Sequence, residues 1–159
     1  MTCGRPWGEQ HERQDHALTG LATAVLERAA AQLGERVRDD IVGAIAARLK
    51  RWGLENQRLS VRITGCPNGC ARPYSGDIGI VGRVPGLYSL YVGGDFEGTR
   101  LNSLIAERLD IAGIADTLDP LFALFAEARL PEEGFGDFCH RLGRDALAQA
   151  LAAAMKGVA

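Results

Sequence analysis

Leu59-Ser60-Val61-Arg62-Ile63-Thr64-Gly65-Cys66-Pro67-Asn68-Gly69-Cys70 is a strand that runs straight into a turn carrying two thiols. Leu59, Val61 and Ile63 alternate with Ser60, Arg62 and Thr64, the period of a half-buried β-strand. Gly, Pro and Asn then bend the chain, and Asn68 suits such a turn through its own side-chain hydrogen bonding. Two sulfurs on one stiff turn can face a common point with little further ordering cost, which suits a soft metal or an iron–sulfur cluster. The Cys-x3-Cys spacing by itself also leaves a zinc site and a plain structural turn open.

The rest of the chain bounds these readings. It has 159 residues, 47% of them hydrophobic, enough for a core in one ordinary domain. A net charge of -2 and a pI of about 5.9 exclude a basic field for gripping nucleic acid. No apolar run approaches a membrane span, and the N-terminus lacks a basic-then-apolar secretory signal, so a cytoplasmic setting is expected. The four cysteines are Cys3, Cys66, Cys70 and Cys139. The core needs no disulfide staples, which favours a reduced compartment.

Residues 1–16 are polar and without period, and read as a flexible head. Leu18, Leu21, Val25 and Leu26, followed by Ala29–Ala31, predict a helix ending at Gly34. Val37, Ile41, Ile45, Leu49 and Trp52 share one helical face, with Gly53 as the cap. After the cysteine turn, Asp77–Gly82 and Leu87–Val92 read as strands of a hairpin around Pro85-Gly86. Gly93-Gly94-Asp95 breaks the sheet and allows close backbone approach. Downstream the pattern predicts helices only. One is a short helix over Leu101–Leu109. Another carries the Ile114–Phe125 face, with Asp119 as N-cap and Pro120 at its first position. A loop over Gly134–Phe138 and an alanine-rich closing helix through Leu147, Leu151 and Met155 complete the chain. The expected fold is α+β, a small mixed sheet with packed helices, over residues 17–157.

Thr64-Gly65-Cys66-Pro67-Asn68-Gly69-Cys70-Ala71-Arg72-Pro73-Tyr74 resembles the second cysteine motif of the nitrite and sulfite reductases that carry sirohaem and a [4Fe-4S] cluster. The resemblance continues through Asp77–Gly82, Leu90–Gly94, Gly98–Asn102 and Phe135–Arg141, and is closest to the C-terminal part of ferredoxin-type assimilatory sulfite reductase haemoproteins. It implies the family's 4Fe-4S domain fold, an oxidoreductase that reduces sulfite to sulfide with six electrons in sulfur assimilation, and [4Fe-4S] and sirohaem (haem) cofactors. Cys66 is then a cluster ligand, and Cys70 a cluster ligand that also links to the haem iron. Asn68 and Arg72 are placed beside the cofactors.

The chain departs from that pattern in one respect. The family's other ligand pair, Cys-x5-Cys, is absent, and a gapless count from the turn places its nearer cysteine around Leu26–Arg28. Cys3 is either a displaced third ligand or a remnant of that motif. The family's longer upstream part is missing as well, so a truncated or split chain is expected, inactive alone. Its partners would be an upstream sulfite reductase portion or subunit and an electron donor, ferredoxin or a flavoprotein, with no nucleic acid and no membrane. An exposed apolar patch should mark the uncovered interface. A nitrite reductase relative and a non-catalytic cluster-binding or partner-binding fragment are the alternatives. Cys139 reads as a buried structural thiol, His140 and Arg141 as loop-fixing residues, Arg100 as a surface ion pair, and His11 and His16 as solvated.

Overall fold

The computed structural model describes residues 24–27, 34–65, 68 and 72–157. Cys3, Cys66, Cys70, His11, His16 and the polar head 1–16 lie outside the described residues.

Five strands form one mixed sheet in chain order: β1 (Ala24–Glu27), β2 (Leu59–Thr64), β3 (Ile78–Val84), β4 (Leu87–Val92) and β5 (Ser103–Leu109). β1, β2 and β3 are parallel, and β3–β4 and β4–β5 are antiparallel. The helices are α1 (Glu35–Arg51), α2 (Ile111–Ala128), α3 (Phe135–Leu142) and α4 (Arg144–Lys156). The α+β expectation, a small mixed sheet with packed helices, is met.

α1 follows from its sequence. Ile41, Ile45 and Leu49 fall on one face and are at most 5% exposed. The helix ends in a Schellman motif. Leu54 N–H donates to the Leu49 carbonyl at 2.8 Å and Gly53 N–H to that of Lys50 at 3.1 Å. Gly53 supplies the φ of +66° that the motif needs, and buried Leu54 packs back towards Leu49. Arg48 reaches Asp116 at 2.6 Å, and the Trp52 indole donates to Asp119 at 3.0 Å, fastening α1 to α2.

Several local expectations are corrected. Ala24–Glu27 is a strand, not part of a helix. β2 is buried at all six positions, and an inner strand needs a hydrogen-bonding neighbour on each edge. Leu101–Leu109 is not helical either: Ser103–Leu109 pairs with β4 as the far edge strand. α2 begins at Ile111, capped by the Asp110 carboxylate, which accepts from Gly113 N–H at 2.7 Å. Pro120 therefore sits inside this helix. It removes one backbone bond, and the continuous buried face from Ile114 to Phe125 outweighs that loss. Gly134–Phe138 is not a loop, because α3 starts at Phe135. Its Phe135 and Phe138 join Phe122 and Phe125 in an aromatic cluster with centroids 5.0–5.6 Å apart. In the closing helix Leu147 is buried, while Met155 is 79% exposed.

The exposed large apolar side chains among the described residues are Val84, Leu101, Leu130 and Met155, on four separate segments.

Candidate functional site

β2 delivers the chain to the cysteine turn, and its surroundings differ from the half-buried strand expected. Leu59, Val61 and Ile63 enter the helix-covered core, yet Ser60, Arg62 and Thr64 are also no more than 4% exposed. The polar face is covered by the loops at 73–76 and 93–98 instead of by water. Glycines make this possible. A Cβ on Gly79 would stand 2.0 Å from the Pro73 carbonyl oxygen, and one on Gly94 would stand 2.2 Å from that of Gly76. Asn102 bridges the layers, donating to the Pro73 and Gly76 carbonyls at 2.7 and 3.0 Å. The close approach expected at Gly93-Gly94 is present.

Arg62 runs beneath this cover. Its guanidinium donates to Ser75 Oγ at 2.9 Å and lies against Gly98, where a Cβ would meet Nη2 at 2.7 Å. Arg72, on the far side of the cysteine turn, is exposed and directs Nη2 to the Gly98 carbonyl at 3.4 Å. The two arginines that flank the turn thus converge on one glycine. Gly98 has a φ of +76° in a short turn held by Asp95. Asp95 accepts from Thr99 N–H at 2.6 Å and, in a shorter bond, from the Thr99 hydroxyl. Burial pushes its carboxyl up, but the bonds from Thr99 and the Gly98 and Arg100 amides outweigh that and hold it below the ordinary range. Arg72 itself is in the left-handed region at φ 49°, ψ 47°, just before Pro73. That conformation costs a non-glycine residue on the order of 1–3 kcal/mol, and proline disfavours the right-handed helical alternative there. Asn68 is an exposed turn residue.

Asp77 anchors the opposite end of β3. Its Oδ2 accepts from Ser60 N–H at 2.8 Å and from Ser60 Oγ at 2.7 Å, and its Oδ1 accepts from Gly136 N–H in the first turn of α3 at 3.0 Å. Burial raises its pKa, partly offset by those bonds. Arg100 does more than the surface pair expected of it. It donates to the Gly93 and Gly94 carbonyls at 2.9 and 2.7 Å as well as to Asp137 at 2.7 Å. Arg141 fixes the segment before α3 through Glu133, at 2.6 and 2.9 Å, and the Ala128 carbonyl. Cys139 is a core thiol at 1% exposure, its pKa pushed up by burial and then by the charges of Asp77 and Glu133. Ser75, Asp77 and Gly98 were missed as site-supporting residues. Their signal was faint: a small polar residue or glycine beside a turn, with nothing to say that Ser60 and Arg62 face inward.

No family model matches the chain. Curated relatives do. The sulfite reductase [NADPH] hemoprotein beta-component of Myxococcus xanthus is 47% identical over 127 residues, 80% of this chain and 22% of the relative. That of Acidithiobacillus ferrooxidans is 48% identical over 126 residues, 79% of this chain and 22% of the relative. The chain is homologous to sulfite reductase hemoprotein beta-components. It spans about a fifth of the length of the relatives it matches. The solved structure of the Mycobacterium tuberculosis NirA protein shares the fold, with a TM-score of 0.50 at 23% identity over 69% of this chain and 22% of that one.

The cofactors implied by a sulfite reductase relative can be tested against the residues present. A [4Fe-4S] cluster takes four thiolates. Among the described residues no group of three or more His, Cys, Asp or Glu is placed to hold a metal, and Cys139 is sealed in the core. The described residues therefore supply no cluster site by themselves, and Cys66 and Cys70 lie outside them.

Proposed function

We propose that this chain is the cluster-side segment of a sulfite reductase haemoprotein, an oxidoreductase that reduces sulfite to sulfide in sulfur assimilation. It would act with an upstream sulfite reductase portion or subunit and with a ferredoxin or flavoprotein donor, in the cytoplasm. The observation that carries this reading is the 47% identity to a sulfite reductase hemoprotein beta-component across 80% of the chain. No helix among the described residues is long and apolar enough to cross a membrane.

In this reading Cys66 and Cys70 contribute sulfur ligands to a [4Fe-4S] cluster next to sirohaem, and Asn68 holds the turn between them. Arg72 presents a cation beside the turn, suited to a haem carboxylate or an anionic substrate. Arg62, Ser75 and Gly98 support the two flanks of the turn from below. Electronic chemistry belongs to the cofactors when bound, while this chain's residues bind and orient.

The test is a visible spectrum of the chain purified anaerobically together with an upstream sulfite reductase portion and sirohaem, compared with the same assembly carrying Cys66→Ser and Cys70→Ser. Haem and iron–sulfur bands that weaken in the double variant are expected. An assembly that stays colourless, or bands equally strong in the double variant, would remove the reading.

A further inference from the structure

The face of the sheet turned away from the helices carries one arginine that takes no part in flanking the cysteine turn. Tyr88, Leu90 and Val92 of β4 enter the core, so Ser89 and Tyr91 between them point to the other face. β3 pairs Gly82 with Tyr88 and Val84 with Leu87, which leaves Arg83 as the extra residue of a β-bulge. A bulge re-aims the side chain it carries. Here Arg83 swings back along β4. Its Nε donates to Ser89 Oγ at 3.1 Å and its Nη2 to the Tyr91 hydroxyl at 2.8 Å.

Both acceptors are neutral. Arg38, Arg48, Arg51, Arg58, Arg100 and Arg141 each have a carboxylate within 3.2 Å. No carboxylate pairs with Arg83 among the described residues. Arg83 is exposed, Ser89 is fully buried, and the half-buried Tyr91 ring is held edge-on by Tyr74, with centroids 5.2 Å apart. A guanidinium carries its N–H donors in a rigid planar fork. Ser89 and Tyr91 occupy the Nε side of that fork. The N–H pair at its far end, on Nη1 and Nη2, has no acceptor among the described residues. The Tyr91 hydroxyl accepts from Nη2 and keeps its own proton to donate. Ordering an arginine costs up to about 2 kcal/mol of rotamer freedom. A full positive charge aimed by two hydroxyls and lacking a counter-ion is suited to receive an anion.

We propose that Arg83, aimed by Ser89 and joined by the Tyr91 hydroxyl, forms an oxyanion-binding site on this face of the sheet. It takes a carboxylate or a small inorganic oxyanion at the free end of the fork, through two parallel charge-assisted hydrogen bonds. A spherical anion such as chloride does not match that paired geometry. The site does not depend on whether Cys66 and Cys70 hold iron.

The test follows the arginine Nε–Hε NMR signals of the full-length chain. Sodium acetate stands for a carboxylate and sodium sulfate for an inorganic oxyanion, each compared with sodium chloride at matched ionic strength. The Arg83 signal, identified by its loss in Arg83→Lys, should shift saturably with one or both oxyanions and stay near its starting position in chloride. Saturation by acetate alone assigns a carboxylate ligand, and saturation by sulfate alone an inorganic one. The backbone amides of Ser89 and Tyr91 should report the same titration. Their midpoint should rise at least five-fold in Arg83→Lys, which lacks the fork, and rise also in Tyr91→Phe. Both substitutions keep the side-chain bulk and should leave the melting temperature near that of the native chain. No saturable shift with either oxyanion, a response to chloride equal to theirs, or an amide midpoint unchanged in Arg83→Lys would overturn the assignment.

Discussion

The two faces of the sheet are buried by different physics. The helix-covered face is apolar: Val61, Ile63, Ile80 and Leu90 meet Ile41, Leu118 and Phe122, all at most 3% exposed. The loop-covered face is polar, with Ser60, Arg62, Thr64, Ser75 and Ser89 all buried. The first face is held by area removed from solvent. The second is held by satisfied hydrogen bonds and by glycines that let backbone meet backbone. β2, the strand that leads to Cys66 and Cys70, contributes Ser60, Arg62 and Thr64 to this second face. The part of the molecule that supports the proposed chemistry is therefore sensitive to both shape and polarity.

The largest effect is expected on the apolar face. Phe122→Ala removes a fully buried ring from the aromatic cluster and should cost about 3–5 kcal/mol in denaturant unfolding. Next comes the polar face. Gly79→Ala would drive a methyl to 2.0 Å from the Pro73 carbonyl oxygen and should cost about 2–3 kcal/mol. Gly43→Ala is the contrast. It lies in α1 with nothing within 4 Å of its would-be Cβ, and should stabilise by about 0.5–1 kcal/mol. Equal effects of the two alanines would erase the role assigned to close backbone approach on the polar face. Ser60→Ala leaves Asp77 Oδ2 without one of its two donors and should cost about 1–2 kcal/mol.

The smallest expected effect is on pH dependence. The Arg141 guanidinium bonded to Glu133, against a smaller opposing effect of burial, holds that carboxyl down at about 2. A depressed carboxylate contributes stability that is complete above its ordinary value of 4.5 and is lost as pH falls towards about 2. Asp77 works in the opposite sense: its raised pKa favours the protonated fold, so its contribution improves as pH falls. Thermal melts from pH 5 to 2 should therefore decline less steeply for Glu133→Gln than for the native chain. A steeper decline in the variant would reverse the assignment.

The same division explains what could be read in advance. The face of α1, the β3–β4 hairpin and the buried α2 stripe follow from hydrophobic period alone. β2 is legible as a strand with Arg62 and Thr64 opposite its apolar face, but their burial is not, because period separates apolar from polar and does not tell polar-and-buried from polar-and-wet. The local pattern of β1 and β5 favours helix, whereas short segments such as Ala24–Glu27 and Ser103–Leu109 owe their state to a neighbouring strand and not to local preference. Asp119-Pro120 reads as a helix start, whereas Asp110 supplies the cap nine residues before Asp119. At the site, the turn and its flanking Arg72 were legible as motif. The clamp of Arg62 and Arg72 on Gly98 was not, because it joins segments separated by 26 residues or more.

In the proposed reading the thiols of Cys66 and Cys70, which follow β2 in the chain, ligate iron. Iron retained after anaerobic reconstitution with iron and sulfide in the presence of an upstream sulfite reductase portion, compared among the native protein, Cys66→Ser, Cys70→Ser and Cys139→Ala, tests this most directly. Iron should fall at least ten-fold in each of the two turn variants, with melting temperature unchanged, and stay at the native level in Cys139→Ala. Native iron content in Cys66→Ser and Cys70→Ser would contradict the account.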